Sequence, residues 1–212
     1  MAKRRRDQAR TRLARAAVVE AARTLFLERG YGATTIDAIS ELADVPTATV
    51  YRLFSSKLGI LKSLLDVSIV GDDEDVPMAE RPRVRSLLAE QDPWNRLAGF
   101  VGNASHVNAR VAPLYRILVS AAGTDPDAAA LLDELTRQRQ QGQRVIARSL
   151  ARSGALRPEL RERDAADLIH ALMSPELYRL LVVDRGWRTE RYERWLAEVL
   201  VDQLLPPAPV TS

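Results

Sequence analysis

Thr47, Ala48, Thr49, Tyr51 and Arg52 carry the strongest chemical signal in this chain. They combine small side chains, hydroxyls, a phenol and a guanidinium. On one helix face such a set lets the backbone approach a DNA major groove. Its hydroxyls reach phosphates or base edges, and its guanidinium offers a bidentate fork. Lys57 stands at the start of the next helical pattern. An ammonium is unfavourable there for the helix dipole, but beside free backbone N–H groups it is well placed to hold a phosphate.

Competing chemistries are poorly represented. His106 and His170, the two histidines, lie on different helical segments, and no cysteine, Gly-rich phosphate loop or strand-to-helix nucleophile motif accompanies them. The acids Asp72, Asp73, Glu74 and Asp75 lack the ligand spacing of a calcium loop and read as solvated surface. The sequence therefore points to no catalytic residue, no metal, no cofactor and no enzyme.

The elements that must position the five residues are legible around them. Ile36, Ile39 and Leu42 recur at helical spacing behind a Thr34-Thr35 start, which predicts a short capped helix with those three facing inward. Asp44 tolerates the left-handed backbone of a turn, and Pro46 opens a second helix that buries Val50 and Phe54 together with Val45. A long helix over 11–29, with Leu13, Ala17, Val18, Ala21, Leu25 and Phe26 as its apolar stripe and Gly30 as its stop, supplies the third wall. Ser55 or Ser56 caps a fourth helix carrying Leu58, Ile60, Leu61, Leu64, Leu65 and Val67.

Composition fits this picture. The chain has 212 residues, enough for two domains, with 5% aromatics and no sustained period-two alternation, so the expected class is all-α. Net charge is only +3, yet residues 1–62 hold twelve Lys or Arg against six Asp or Glu, and the remainder holds nineteen against twenty-two. Basic charge thus gathers with the helix-turn-helix, as a phosphate-backbone partner requires. The basic start Lys3-Arg4-Arg5-Arg6 reads as a disordered arm rather than a secretory signal, and no apolar run reaches membrane-spanning length. A soluble, cytoplasmic protein is expected.

The run Val45-Pro46-Thr47-Ala48-Thr49-Val50-Tyr51-Arg52-Leu53-Phe54-Ser55-Ser56-Lys57, preceded by Gly30-Tyr31-Gly32-Ala33-Thr34-Thr35, resembles the DNA-binding segment of the tetracycline-repressor (TetR) family. The resemblance covers roughly residues 10–66. It implies that Thr35 and Thr49 hold phosphates, that Thr47 and Ala48 face bases, and that Tyr51 and Lys57 touch the backbone or a base edge. Leu53, where many members have a phosphate-touching His, and Asp37, where several have a basic residue, depart from the pattern.

Towards the C-terminus, residues 71–82 read as a loop. Asp92-Pro93, Asp125-Pro126 and Ser174-Pro175 each place a capping residue before a helix-compatible proline. Helices are expected from Pro93 to about Val111, from Pro113 as a short piece, from Pro126 to Ser153 before Gly154, over 164–184 with a kink or restart at Pro175, and over 190–205 behind Thr189. The polar middle of the third, residues 136–144, is expected to face solvent or a wet cavity. Trp94, Phe100, His106, Tyr115 and Tyr178 are candidate ligand-pocket residues, and the apolar excess of the last pair marks Leu172, Leu177, Leu180, Trp195 and Val199 as a candidate dimer interface.

The expected organisation is a three-helix helix-turn-helix DNA-binding domain over 1–57, a helical bundle for ligand binding and dimerisation over 58–205, and a tail over 206–212. The expected function is a TetR-type transcriptional regulator, a homodimeric repressor released from a palindromic DNA operator by a small-molecule effector. The alternative is a helical ligand-binding or interaction protein that does not read DNA.

Overall fold

The computed structural model describes residues 2–71 and 80–207, and helices are the only regular elements among them. In order these are α1 (Ala2–Ala33), α2 (Ile36–Ala43), α3 (Thr47–Phe54), α4 (Lys57–Val70), α5 (Pro82–Ala89), α6 (Pro93–Ala122), α7 (Pro126–Arg152), α8 (Glu162–Leu172), α9 (Pro175–Tyr178) with a π-helical continuation (Arg179–Asp184), and α10 (Thr189–Leu204). The acidic cluster at 72–75 and residues 208–212 of the expected tail lie outside the described residues.

Residues 1–72 and 113–133 form one compact unit, so the expected boundary after residue 57 falls inside it. Local chemistry sets its helix ends. Thr35 Oγ1 accepts from the Ala38 N–H at 3.1 Å and caps α2, and Ser56 Oγ accepts from the Gly59 N–H at 3.0 Å and caps α4. Asp44 adopts the left-handed conformation at φ 51° and ψ 43°, and Gly30, at φ 77°, interrupts the helical path of α1.

The core of this unit draws Val18, Leu25 and Phe26 from α1, Ile39 from α2, Val50 and Phe54 from α3, and Ile60, Leu61, Leu64 and Leu65 from α4. Burying each such side chain stabilises by about 1.5–3 kcal/mol relative to exposure. Two expected members are absent: Leu42 is 54% exposed and Leu13 is 68% exposed. On α2 the inward stripe runs Ile36, Ile39, Ser40 and Ala43, the i, i+3, i+4, i+7 set, and Leu42 falls on the other face. Ser40 is buried because its hydroxyl donates to the Val45 carbonyl at 2.6 Å, which ties α2 across the turn.

Three further expectations are corrected here. The basic start, expected to be disordered, continues α1 back to Ala2, as a run of good helix formers such as Arg, Lys and Gln permits. Pro113 starts no new helix but lies inside α6, where its ring removes one backbone donor without stopping the chain. Helix α5 begins at Pro82, the last residue of the expected loop, and occupies a stretch for which no helix was expected.

Residues 73–112 and 134–212 form the second unit. All three Xaa-Pro starts are observed, two here and one in the first unit: Asp92 accepts from the Asn95 N–H at 2.7 Å and Ser174 from the Leu177 N–H at 3.1 Å, and in the first unit Asp125 accepts from the Asp127 N–H at 2.9 Å. Pro175 restarts the chain as α9, while Thr189 is the first residue of α10 and Arg188 its cap. Leu97, Phe100, Val101, Leu150, Ile169, Tyr178, Tyr192, Leu196 and Leu200 make the second core, in which Tyr178 and Tyr192 meet edge-on at 5.2 Å.

Candidate nucleic-acid interface

Helix α3 is held from behind. Val50 and Phe54 are 0% and 6% exposed, Val45 packs beside them, and the opposite face of the helix is left open. Ala48, Tyr51 and Arg52 are exposed, Tyr51 at 51%, and Thr49 is half-buried. Those four of the five expected residues therefore share the outward side, with small Ala48 between longer donors. That relief suits close approach to a groove with phosphate and base-edge contacts at its rim.

Thr47 behaves differently. Its hydroxyl lies 3.0 Å from Ser40 Oγ and 3.3 Å from Asp37 Oδ1, so it bonds back onto α2 rather than standing free for a base. Asp37, the acidic departure from the family pattern, thus has a local partner. Thr35 is exposed, and although its oxygen is engaged in the α2 cap its proton remains available to a phosphate.

Lys57 is drawn inward. Its ammonium donates to the Tyr31 carbonyl at 2.7 Å and the Thr34 carbonyl at 2.8 Å, and it sits 4.2 Å from the centre of the Tyr31 ring. Two of its three protons fasten the α1–α2 connection to α4, so its first task is to set the angle at which the α2–α3 pair is presented. Burial holds its pKa below the ordinary lysine value, against the opposing charge of Asp125, and burial with Asp125 and Asp127 raises that of Tyr31.

One positioning residue escaped the sequence reading. Arg15 donates to the Leu53 carbonyl at 2.9 Å and to Ser63 Oγ at 3.3 Å, and its guanidinium lies 4.6 Å from the centre of the Phe54 ring. A cation at the C-terminal end of α3 complements its dipole and fastens the helix to α1 and α4. On the sequence Arg15 is one of many arginines along an amphipathic helix, and nothing local marks it.

The five candidate pocket residues are not gathered into one site. Trp94 and His106 are exposed, Phe100 and Tyr178 are core residues of the second unit at 5% exposure each, and Tyr115 belongs to the first unit. Aromatic residues at helical spacing serve packing by default, which is what Phe100 and Tyr178 do. Of the candidate interface residues, Leu180 is 47% exposed, and Leu172, Leu177, Trp195 and Val199 are half-buried.

The polar middle of α7 does not all face solvent. Gln143 is buried at 7% exposure, with its Oε1 2.6 Å from His170 Nδ1. Arg139 donates to the His170 carbonyl at 2.9 Å and meets Nε2 at 3.0 Å. Nδ1 is then the protonated nitrogen and Nε2 the acceptor, a neutral ring between a fixed acceptor and a fixed donor. Burial, and then Arg139, lower the His170 pKa against the opposing pull of Glu176 and Asp167. A depressed histidine contributes stability that is complete above the ordinary value and lost as pH falls below it. Urea midpoints should therefore drop as pH falls below about 6.5, and the drop should shrink in His170→Gln. An equal drop in both proteins would remove His170 as its cause.

Comparisons with known proteins agree with this geometry. Residues 18–64 match the family described as bacterial regulatory proteins, tetR family. The chain is 28% identical over 168 residues to the uncharacterised HTH-type transcriptional regulator YdeS of Bacillus subtilis (strain 168), covering 78% of this chain and 77% of that one. NalD of Pseudomonas aeruginosa, the secondary repressor of the MexAB-OprM multidrug efflux pump, shares the fold with a TM-score of 0.69 at 20% identity, over 92% of this chain and 98% of that one. A Saccharomonospora viridis protein solved in complex with choline superposes with a TM-score of 0.67 at 19% identity, over 91% and 98%. The matched residues run from α1 through α2 and α3 into α4, so the helix-turn-helix head is a tetR-family DNA-binding segment, and over most of its length the chain is similar to HTH-type transcriptional regulators.

Proposed function

We propose that the protein is a homodimeric repressor whose two copies of α3 enter successive major grooves of a palindromic operator, and that a small molecule releases it. The observation that carries the DNA contacts is the open face of α3, with Ala48, Tyr51 and Arg52 exposed while Val50 and Phe54 anchor the helix from behind. In this reading Arg52 and Tyr51 reach base edges or flanking phosphates, Thr35 and Thr49 hold phosphates, and Ala48 lets the helix approach. Thr47 acts through its bond to Asp37, and Lys57 through the α1–α2 connection, with one proton left for a phosphate. Half-sites centred about 34–36 Å apart would meet both heads on one side of the duplex.

Dimerisation through α8, α9 and α10 is supported by Leu172, Leu177, Leu180, Trp195 and Val199, none of them fully buried by the chain itself. An effector cavity in the second unit is supported by Ser105 Oγ and the Tyr192 hydroxyl. Both are buried and make no hydrogen bond with any described residue. Groups of that kind are the polar anchors of an otherwise apolar ligand site.

Fluorescence anisotropy with DNA fragments flanking its own gene tests the reading. Arg52→Ala and Tyr51→Ala should each weaken the preferred fragment by about 1–3 kcal/mol and flatten the preference for it. Unchanged affinity in both variants would exclude α3 as the reading element. Native mass spectrometry of the same protein reads the dimer and any retained small molecule.

A further inference from the structure

We propose that a groove on the second unit, apart from the residues that read DNA, binds an organic monocarboxylate with a compact apolar body. Its volume is about 450 Å³, within the roughly 300–1,000 Å³ of small-molecule sites. One wall is the face of α7 that carries Val145, Arg148, Ser149 and Arg152, residues spaced so that they lie above one another. The other wall brings Leu88 from α5 and Arg96 from the first turn of α6.

The charges in the groove select the ligand. Arg96 is only 4% exposed, yet each of its hydrogen-bond acceptors is neutral: the Glu90 carbonyl at 2.8 Å, Ser149 Oγ at 2.9 Å, the Ser149 carbonyl at 3.2 Å and Ser153 Oγ at 3.4 Å. Two of those acceptors are carbonyls at the C-terminal ends of α5 and α7, whose dipoles each supply about half a negative charge and so offset this guanidinium. Arg148 pairs with Glu162 at 3.3 Å. Among the described residues Arg152 forms no ion pair and no acidic side chain lines the groove.

Among the described residues one uncompensated cation is left, which matches a monoanion rather than a phosphate dianion. The planar fork of Arg152 accepts a carboxylate through two parallel hydrogen bonds. The Ser149 hydroxyl, which accepts from Arg96, keeps its own proton to donate. Leu88 and Val145, the latter 37% exposed, give the apolar body of the ligand a surface to cover.

Benzoate is a suitable probe, with neutral benzamide and inorganic phosphate as comparisons, each titrated into the full-length protein at constant ionic strength while the methyl signals of Leu88 and Val145 are followed. Benzoate should shift both signals saturably with a Kd on the order of 1 mM or tighter, and benzamide and phosphate should each bind at least tenfold more weakly. Arg152→Gln changes an exposed side chain outside the core, so it should keep the parent melting temperature and lose benzoate affinity tenfold or more. Absence of saturable shifts, equal binding of benzamide or phosphate, or an unaltered benzoate titration in Arg152→Gln would each overturn the proposal.

Discussion

Replacing Gly59 with alanine should lower the melting temperature of the first unit by several degrees and weaken specific DNA binding tenfold or more. A Cβ at this position would stand 2.1 Å from the Phe54 carbonyl oxygen and 3.2 Å from its carbon. Both atoms are backbone, so no rotamer change relieves the contact. The two-residue link Ser55-Ser56 joins α3 to α4, Ser55 already holds a positive φ of 64°, and Arg15 fastens the Leu53 carbonyl. Relief therefore requires α3 to swing away from α4, which moves Tyr51 and Arg52. Alanine gains about 1 kcal/mol of helix propensity over glycine, whereas overpacking costs typically 1–3 kcal/mol and falls at the upper end against rigid backbone. The clash wins, with a net loss of about 2 kcal/mol. Thermal melting by circular dichroism and anisotropy check the two parts; a variant that melts and binds like the parent would show that the α3–α4 joint yields freely.

The second large effect is expected at Arg96. Its guanidinium bonds the Glu90 carbonyl, the Ser149 carbonyl and the Ser149 hydroxyl, and so closes the ends of α5 and α7 at once. Arg96→Ala leaves the half-buried Glu90 carbonyl and Ser149 hydroxyl without this donor, at about 1–3 kcal/mol each before relaxation, while the Ser149 carbonyl keeps the Ser153 N–H and hydroxyl. The second unit should lose about 3 kcal/mol or more in urea denaturation. Arg96→Lys keeps the charge on a single nitrogen that cannot reach both helix ends and should recover only part of the loss. If Arg96→Met were as stable as the parent, the hydrogen bonds would contribute nothing net and packing of the stem would explain the residue.

What the sequence disclosed was mainly local chemistry. Thr35, Ser56, Asp92, Asp125 and Ser174 cap helices as their types and positions foretell, and Asp44, Gly30 and Gly154 take the positive φ values their turns demand. Features decided by distant neighbours were less legible. Leu42 looks like a core residue in a four-residue window, but the choice of stripe on α2 depends on where α1 and α3 lie. Lys57 reads from the sequence as a phosphate ligand alone, and its fastening of the α1–α2 connection emerges only once the Tyr31 and Thr34 carbonyls stand beside it. Arg15 and Arg96 are single arginines among many, distinguished only by partners 38 and 53 positions away in the chain. The outward set on α3 was readable because a short helix with two buried anchors leaves little freedom in which way it faces.

The central claim is that this open face of α3 reads sequence on duplex DNA. Its most direct test is competition between a preferred fragment from the flanking DNA and a shuffled fragment of equal length and composition, repeated over a range of salt. The account predicts a preference of at least about a thousandfold, with log affinity for the preferred fragment falling linearly with log salt at close to −0.9 per phosphate neutralised. Equal affinity for the two fragments at every salt concentration would contradict it.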